Sequence, residues 1–403
     1  MTVATVALGR EMRVIGLVTG AHFLSHFYQL VLPPLFPLLT DVYGVGFVEL
    51  GLVVMVFGLT SSIVQTPIGF FVDRFGGRMV LILGLALISG AVALFGVANS
   101  LPALIALAVV AGVGNAVFHP ADYSILSASV EQRRLGRAFS IHAASGNWGW
   151  AAAPLVMLGL SSIIGVRETF LVVGTVGLLV ALALWTQIGH MRDEAGQRRE
   201  QRDGGEKAPG RNGLALLLSR PILLCFAFQT IYAMSFGGIR TFGIAALASM
   251  YSVPIAVLGG ALTGFMIAGS FGNLAGGYAA DKTSRPMLVF SLCVLTICGL
   301  IFMLGSVEMS VAFIVTTMVA AGFLQGTLLP MRDLLVRAIS PPGEIGKVFG
   351  FTSSGFSLGN AIIAILFGWI MDIGAPEWVF YGSAAFMLLA LATYAETSRH
   401  AVR

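Results

Sequence analysis

Apolar stretches long enough to cross a bilayer, about 20 residues each, recur along the chain between short polar stops. They fall at 14–39, 48–72, 79–98, 102–127, 137–163, 169–189, 222–248, 255–280, 287–306, 309–335, 345–371 and 378–395. Within them the pattern is helical or apolar on every side, without the alternation of a half-buried strand. A helix satisfies its own backbone hydrogen bonds, as a segment surrounded by lipid must. The expected fold is therefore an all-α membrane protein with twelve transmembrane helices. Arg10 and Arg13 precede the first stretch, as in a signal peptide. Val14 to Leu39 is nevertheless too long for such a segment and lacks a small-residue cleavage site, so it is assigned as the first span.

The polar stops set the orientation. Of the 23 Lys and Arg residues, all but Arg167 and Arg240 fall at the two termini, in the loops after even-numbered spans or the span ends that border them, or in the central stretch. Positive residues collect on the cytoplasmic side, so both termini are expected there. Segment 190–214 is rich in Arg, Glu, Asp and Gly and nearly devoid of apolar residues. It cannot bury enough surface to fold and reads as a cytoplasmic linker. The chain then divides into a six-helix bundle over 1–189, the linker over 190–214, and a second six-helix bundle over 215–403.

Composition narrows the function. Soluble domains carry about 25% charged residues, whereas this 403-residue chain carries 10%, against 57% hydrophobic. A net charge of +4, spread through short loops, offers no basic face for nucleic acid. Cys225, Cys293 and Cys298 all lie in apolar stretches and lack zinc-type spacing. No G-x-S-x-G, H-E-x-x-H or nucleotide-binding loop is present. The expectation is a chain with no cofactor and no enzymatic activity.

The two halves repeat each other. PADYSILSASVEQRRLGRAF from Pro120 aligns with PMRDLLVRAISPPGEIGKVF from Pro330, matching Gly136 to Gly346, Arg137 to Lys347 and Phe139 to Phe349. Gly69, Asp73 and Arg74 match Gly277, Asp281 and Lys282, Tyr43 matches Tyr251, and Gly51 matches Gly259. Parallel repeats imply a pseudo-two-fold axis along the membrane normal, with the substrate path between the halves.

This layout, with the G-x-x-x-D-R-x-G motif of Gly69, Asp73, Arg74 and Gly76 followed by Arg78, resembles the major facilitator superfamily over the whole chain. The motif departs at Gly77, where the family often has a basic residue. Three stretches, SHFYQLVLPPLFPLL, GNAVFHPADYSIL and FSIHAASGNWGWAAAPL, resemble the fosmidomycin-resistance group within it. The resemblance implies a secondary transporter working by alternating access in a bacterial-type inner membrane and functioning as a monomer. Its partners would be a small molecule, protons and the lipid bilayer. Proton-coupled export of a small, anionic organic compound or drug is the leading expectation. Uptake of an organic anion by symport, a metal carrier and a membrane-embedded enzyme are the alternatives. The resemblance also implies a cytoplasmic latch in which Asp73 faces the start of the eleventh span near Gly343–Gly346, with Arg133 or Arg134 as a further charge partner. Asp281 and Lys282 would form the mirror contact.

Ionisable groups within spans are costly and usually functional. His22 and His26 are four apart and share a helix face with Gln29. Such a pair could line a cavity, carry a proton or hold a metal, but no carboxylate or Cys is adjacent in sequence, and no metal site is assigned. His119 and Asp122 share a face of the fourth span, and His142 enters the fifth from the cytoplasm to a comparable depth. A carboxylate among imidazoles can exchange protons near neutral pH, so Asp122, His119 and His142, with His22 and His26, are the candidate proton-coupling residues. Asp122 aligns with Arg332, and Asp333 follows it. Arg240, within the seventh span, offers a fork of donors suited to carboxylate or phosphonate. Arg240 and the polar groups Gln29, Asn115, Asn147, Trp148, Gln229, Asn273, Gln325 and Asn360 are the candidate substrate contacts.

Overall fold

In a computed structural model the described residues are 3–192, 216–283, 285–341 and 345–401. They form helices α1 (Val3–Gln29), α2 (Phe36–Tyr43), α3 (Phe47–Phe75), α4 (Gly77–Phe95), α5 (Leu101–Asn115), α6 (Phe118–Ser129), α7 (Gln132–Ile164) and α8 (Val166–Thr186). After the central stretch come α9 (Arg220–Met250), α10 (Ile255–Lys282), α11 (Pro286–Ser306), α12 (Val311–Ile339), α13 (Ile345–Asp372) and α14 (Trp378–Ala401). Together they supply 12 segments long and apolar enough to cross a membrane.

Two of these segments are broken, and proline explains both. Pro33 and Pro34 follow α1, and a short 3-10 turn at Pro33–Leu35 leads into α2. Pro120 has no N–H to give the Ala116 carbonyl, and its ring crowds that carbonyl. The fourth span accordingly splits into α5 and α6 around Ala116 and Val117. The break frees the start of α6, which carries His119 and Asp122.

The described residues separate into two compact units, one within Met1–Val31 and Val56–Ala208, the other within Leu32–Met55 and Pro209–Arg403. The sequence repeat puts 32–55 with the first half, whereas packing groups it with the second unit. Most of the expected linker, residues 193–214, lies outside the described residues.

Close helix approach in the second unit depends on glycine. A Cβ at Gly272 would run into the Phe323 carbonyl, at Gly276 into that of Thr327, at Gly322 into that of Phe265, and at Gly326 into that of Gly269. Small residues at such crossings let backbones touch, which drives association where lipid is as apolar as the side chains.

In the same unit the Asp372 carboxylate ends α13 and caps α3. Its Oδ1 accepts from the Phe47 N–H at 2.7 Å and its Oδ2 from the Val48 N–H at 2.9 Å. A carboxylate at a helix N-terminus satisfies orphan donors and meets the positive end of the dipole. Asp372→Ala is expected to cost about 1 kcal/mol, as loss of a helix cap does. The check is the thermal midpoint of the purified protein, and an unchanged midpoint would show that the cap contributes nothing.

The expected latch is described in part. Gly76 joins α3 to α4 at φ 92°, a left-handed conformation that glycine adopts at no steric cost. Gly69 has open space where a side chain would sit. Arg78 Nη1 reaches the Met191 carbonyl at 3.4 Å. The guanidinium of Arg74 lies 5.2 Å from the Phe75 ring, and Lys282 Nζ lies 4.7 Å from the Tyr278 ring. The side chains of Asp73 and Asp281, and residues 342–344, are outside the described residues, so the expected Asp73 contact is too. Arg134 is taken by another partner, a two-pronged ion pair with Glu11 at 2.8 and 2.9 Å.

Candidate functional site

The first unit brings five ionisable side chains from three segments together. The α1 face supplies His22 and His26, the α6 segment His119 and Asp122, and α7 supplies His142. Asp122 has no solvent exposure, and His22 and His142 are almost as deeply buried. His142 Nε2 is hydrogen-bonded to Asp122 Oδ2 at 2.9 Å, and His22 Nδ1 approaches the same oxygen at 3.1 Å. The His22 contact has the distance of an ion pair without the alignment of a hydrogen bond, so His142 is the directional partner. Asp122 Oδ1 is buried with no hydrogen-bond partner.

The imidazoles form a contiguous group. The His22 and His142 rings stack at 3.7 Å, His26 lies 4.5 Å from His22, and His119 lies 5.3 Å from His22. Gly146 makes room for them, since a Cβ there would sit 2.7 Å from the His26 ring and 3.0 Å from His22 Nε2. Sequence spacing had set the α1 pair apart from the cluster of His119, Asp122 and His142, and the structure merges the two. The donor atoms of His22, Asp122 and His142 lie within 4.8 Å of one another, close enough to raise the question of a metal. Both nitrogens lie beside a single carboxylate oxygen, and only the His142 contact has the alignment of a hydrogen bond.

A chain of neutral polar groups extends from this cluster. The His26 ring lies 4.3 Å from that of Trp150. Trp150 Nε1 donates to Gln29 Oε1 at 3.2 Å, Gln29 Nε2 to Asn115 Oδ1 at 3.3 Å, and Asn115 Nδ2 to Ser61 Oγ at 2.8 Å. Of the expected contacts, Gln29 and Asn115 belong to this chain. Asn147 stands outside it, and Trp148 is half exposed on another face of α7. Trp150, Ser61 and Tyr123, whose ring lies 5.4 Å from His142, went unnoticed in the sequence. The four-residue spacing His142, Gly146, Trp150 was the available signal for Trp150.

The second unit holds the other candidates. Arg240 Nη2 on α9 donates to Asn360 Oδ1 on α13 at 2.9 Å. Gln325 Nε2 donates to the Tyr232 hydroxyl at 3.4 Å. Gln229 is buried with its Oε1 unpartnered. Asn273 lies on α10 at the helix crossing, its backbone nitrogen 2.9 Å from where a Gly326 Cβ would be. Arg332 is held by its neighbour, its Nε donating to Asp333 Oδ1 at 2.9 Å. Cys225, Cys293 and Cys298 are free thiols.

The sequence profile of the Major Facilitator Superfamily matches residues 18–259 and 229–402, which together span most of the chain. This chain belongs to that superfamily. It is 26% identical to the fosmidomycin resistance protein of Escherichia coli (strain K12) over 396 residues, covering 96% of this chain and 93% of that protein. It is 30% identical to a probable sulfoacetate transporter of Cupriavidus necator over 166 residues, or 41% of this chain and 38% of that one. Among solved structures, a bacterial homologue of the human lysosomal transporter Spinster, described as inward-facing and unoccupied, shares the fold. Its TM-score is 0.79 at 16% identity, covering 98% of both chains. A nucleoside transporter gives a TM-score of 0.80 at 11% identity, over 95% of this chain and 99% of that one. As a major facilitator the protein is a multi-pass membrane transporter rather than an enzyme.

Proposed function

We propose that this major facilitator is a proton-coupled exporter of a small organic anion, working by alternating access as a monomer in the inner membrane with both termini cytoplasmic. The observation that carries the reading is the buried Asp122 carboxylate, contacted through one oxygen by His142 and His22, with His119 and His26 packed against the His22 ring. Such a group takes and releases protons as its surroundings change, which is what coupling to a proton gradient requires. No nucleotide-binding motif offers another energy source. Arg240 supports an anionic cargo, since the planar fork of donors suits a carboxylate or phosphonate. The names of the two relatives, one conferring resistance to fosmidomycin and one a probable transporter of sulfoacetate, fit a cargo with a phosphonate, sulfonate or carboxylate group. Export rests on likeness to the first.

The test is counterflow into proteoliposomes with anionic, zwitterionic and cationic compounds, with and without an imposed pH gradient. Anionic compounds should exchange, and the gradient should drive their accumulation. Arg240→Gln should weaken their apparent affinity about tenfold or more, as truncating a buried charged partner does. Arg240→Lys, which keeps the charge and loses the fork, should weaken it less. Equal affinity in all three proteins at matched expression would remove Arg240 from the binding site.

A further inference from the structure

We infer that His22, His142 and Asp122 form a binding site for a divalent transition-metal ion such as zinc, and that an ion held there shuts off proton-driven transport. The effect on transport rests on the reading of Asp122 as the proton carrier, whereas the binding site does not. Two imidazole nitrogens and a carboxylate are a donor set that zinc, cobalt and nickel accept. Magnesium and calcium favour oxygen ligands instead.

The distances suit such an ion. His142 Nε2 and His22 Nδ1 stand 2.9 and 3.1 Å from Asp122 Oδ2, and one donor atom from each of the three residues lies within 4.8 Å of the others. Two ligands each about 2.0–2.1 Å from a tetrahedral zinc ion stand roughly 3.3 Å apart. The two nitrogen-to-oxygen spacings therefore have to open by only a few tenths of an ångström. An ion lies off the line joining two of its ligands, so a ligand nitrogen does not aim at a ligand oxygen. His22 Nδ1 has that disposition, close to Asp122 Oδ2 but unaligned with it for a hydrogen bond. The stacked His22 and His142 rings would splay to converge on the ion, which is a rotation of side chains.

Orphaned atoms are the second, independent observation. His22 Nδ1 and Asp122 Oδ1 are both buried without a hydrogen-bond partner, in residues 2% and 0% exposed. A buried polar atom left unsatisfied is costly, and native structures keep few of them. An ion between the two residues satisfies Nδ1 directly and Oδ1 when the carboxylate chelates. Three protein ligands leave zinc a fourth position for water. The ion also occupies the carboxylate that would otherwise take up the proton, which is why it would stop coupling.

Cobalt serves as the spectroscopic probe and zinc as its competitor. Detergent-purified protein without an affinity tag is stripped with a chelator and titrated with cobalt. The visible absorption of four-coordinate cobalt should saturate at one ion per chain, and zinc should bleach it. His142→Gln and Asp122→Asn should each weaken binding at least about tenfold, since even a partner supporting a metal ligand is worth about 10–100-fold in affinity. His190→Gln, in the turn after α8 where His190 meets Arg13 instead, should bind as native. Gel-filtration profiles matching the native protein limit the comparison to folded variants. In proteoliposomes zinc should halt gradient-driven accumulation by the native protein and leave the residual exchange of Asp122→Asn unchanged. If the native protein takes up no cobalt, or the cluster variants bind it as tightly as native, there is no metal site. Accumulation with chelator present would then still uphold the proton reading. If His190→Gln loses as much as the cluster variants, the cobalt sits at the surface and the site is again refuted. Cluster-dependent cobalt binding by a protein that accumulates nothing under a pH gradient would keep the site and remove proton coupling. If zinc binds at the cluster and accumulation continues, the ion does not block transport.

Discussion

Asp122→Asn is expected to abolish gradient-driven accumulation while leaving substrate exchange measurable. Asparagine keeps the size and one acceptor oxygen but cannot take up a proton, and exchange can proceed without releasing one. Among the described residues Asp122 is the sole buried carboxylate. A sodium site usually gathers several oxygens, often from unwound backbone, whereas proton coupling needs only a titratable group whose surroundings change. The groups facing Asp122 are His22 from α1, His119 and Tyr123 from its own helix, and His142 from α7, with His26 packed behind against His22. Exchange by the native protein should therefore vary with pH, and the Asn variant should lose that variation. His142→Gln should alter the pH profile more than His119→Gln, because His142 holds the hydrogen bond to the carboxylate. Full uphill transport by Asp122→Asn would make the aspartate structural. If variants at His22 and His26 also transported normally, protons would have to be abandoned as the coupling ion.

The second large effect is expected at a position with no chemistry. Gly326→Ala should destabilise the protein by roughly 3 kcal/mol, the upper end of the usual overpacking range. Its new Cβ meets the Gly269 carbonyl and lies 2.9 Å from the Asn273 backbone nitrogen. Backbone cannot step aside as a side-chain tip can, so α10 and α12 would have to separate along their crossing. Gly299→Ala, on α11, is the matched control, because a Cβ there has nothing within 4 Å. It should be neutral or gain up to about 1 kcal/mol from helix propensity. Yield of monodisperse protein and thermal midpoint measure both. Equal behaviour of the two variants would mean the α10–α12 crossing adapts.

The candidate site was legible in its members more than in its arrangement. Four-residue spacing put His22 and His26 on one face, and three-residue spacing paired His119 with Asp122, because both follow from helix geometry alone. Those rules act within a helix and cannot say which face of α1 meets which face of α7. That His22 and His142 share one oxygen of Asp122 is a long-range fact, made by the proline break before α6 and by the room Gly146 leaves. The same limit explains Trp150, since nothing local to α7 says that this position is the one to meet the His26 ring.

Sequence by itself determined the number of spans and the internal repeat, because crossing lipid demands continuous apolar length and self-satisfied backbone, and both are written residue by residue. It also determined that ionisable groups inside those spans would be few, and it named them. Only the tertiary structure decided their partners. Asn360 became the partner of Arg240, 120 positions apart, because Gly237 on α9 has no side chain where the Asn360 amide from α13 enters. Residues 32–55 joined the second unit because Asp372 caps α3 and Gly51 packs on the Ala364 carbonyl. Such contacts depend on how whole helices lean on one another, which is a sum over many side chains that no local spacing encodes.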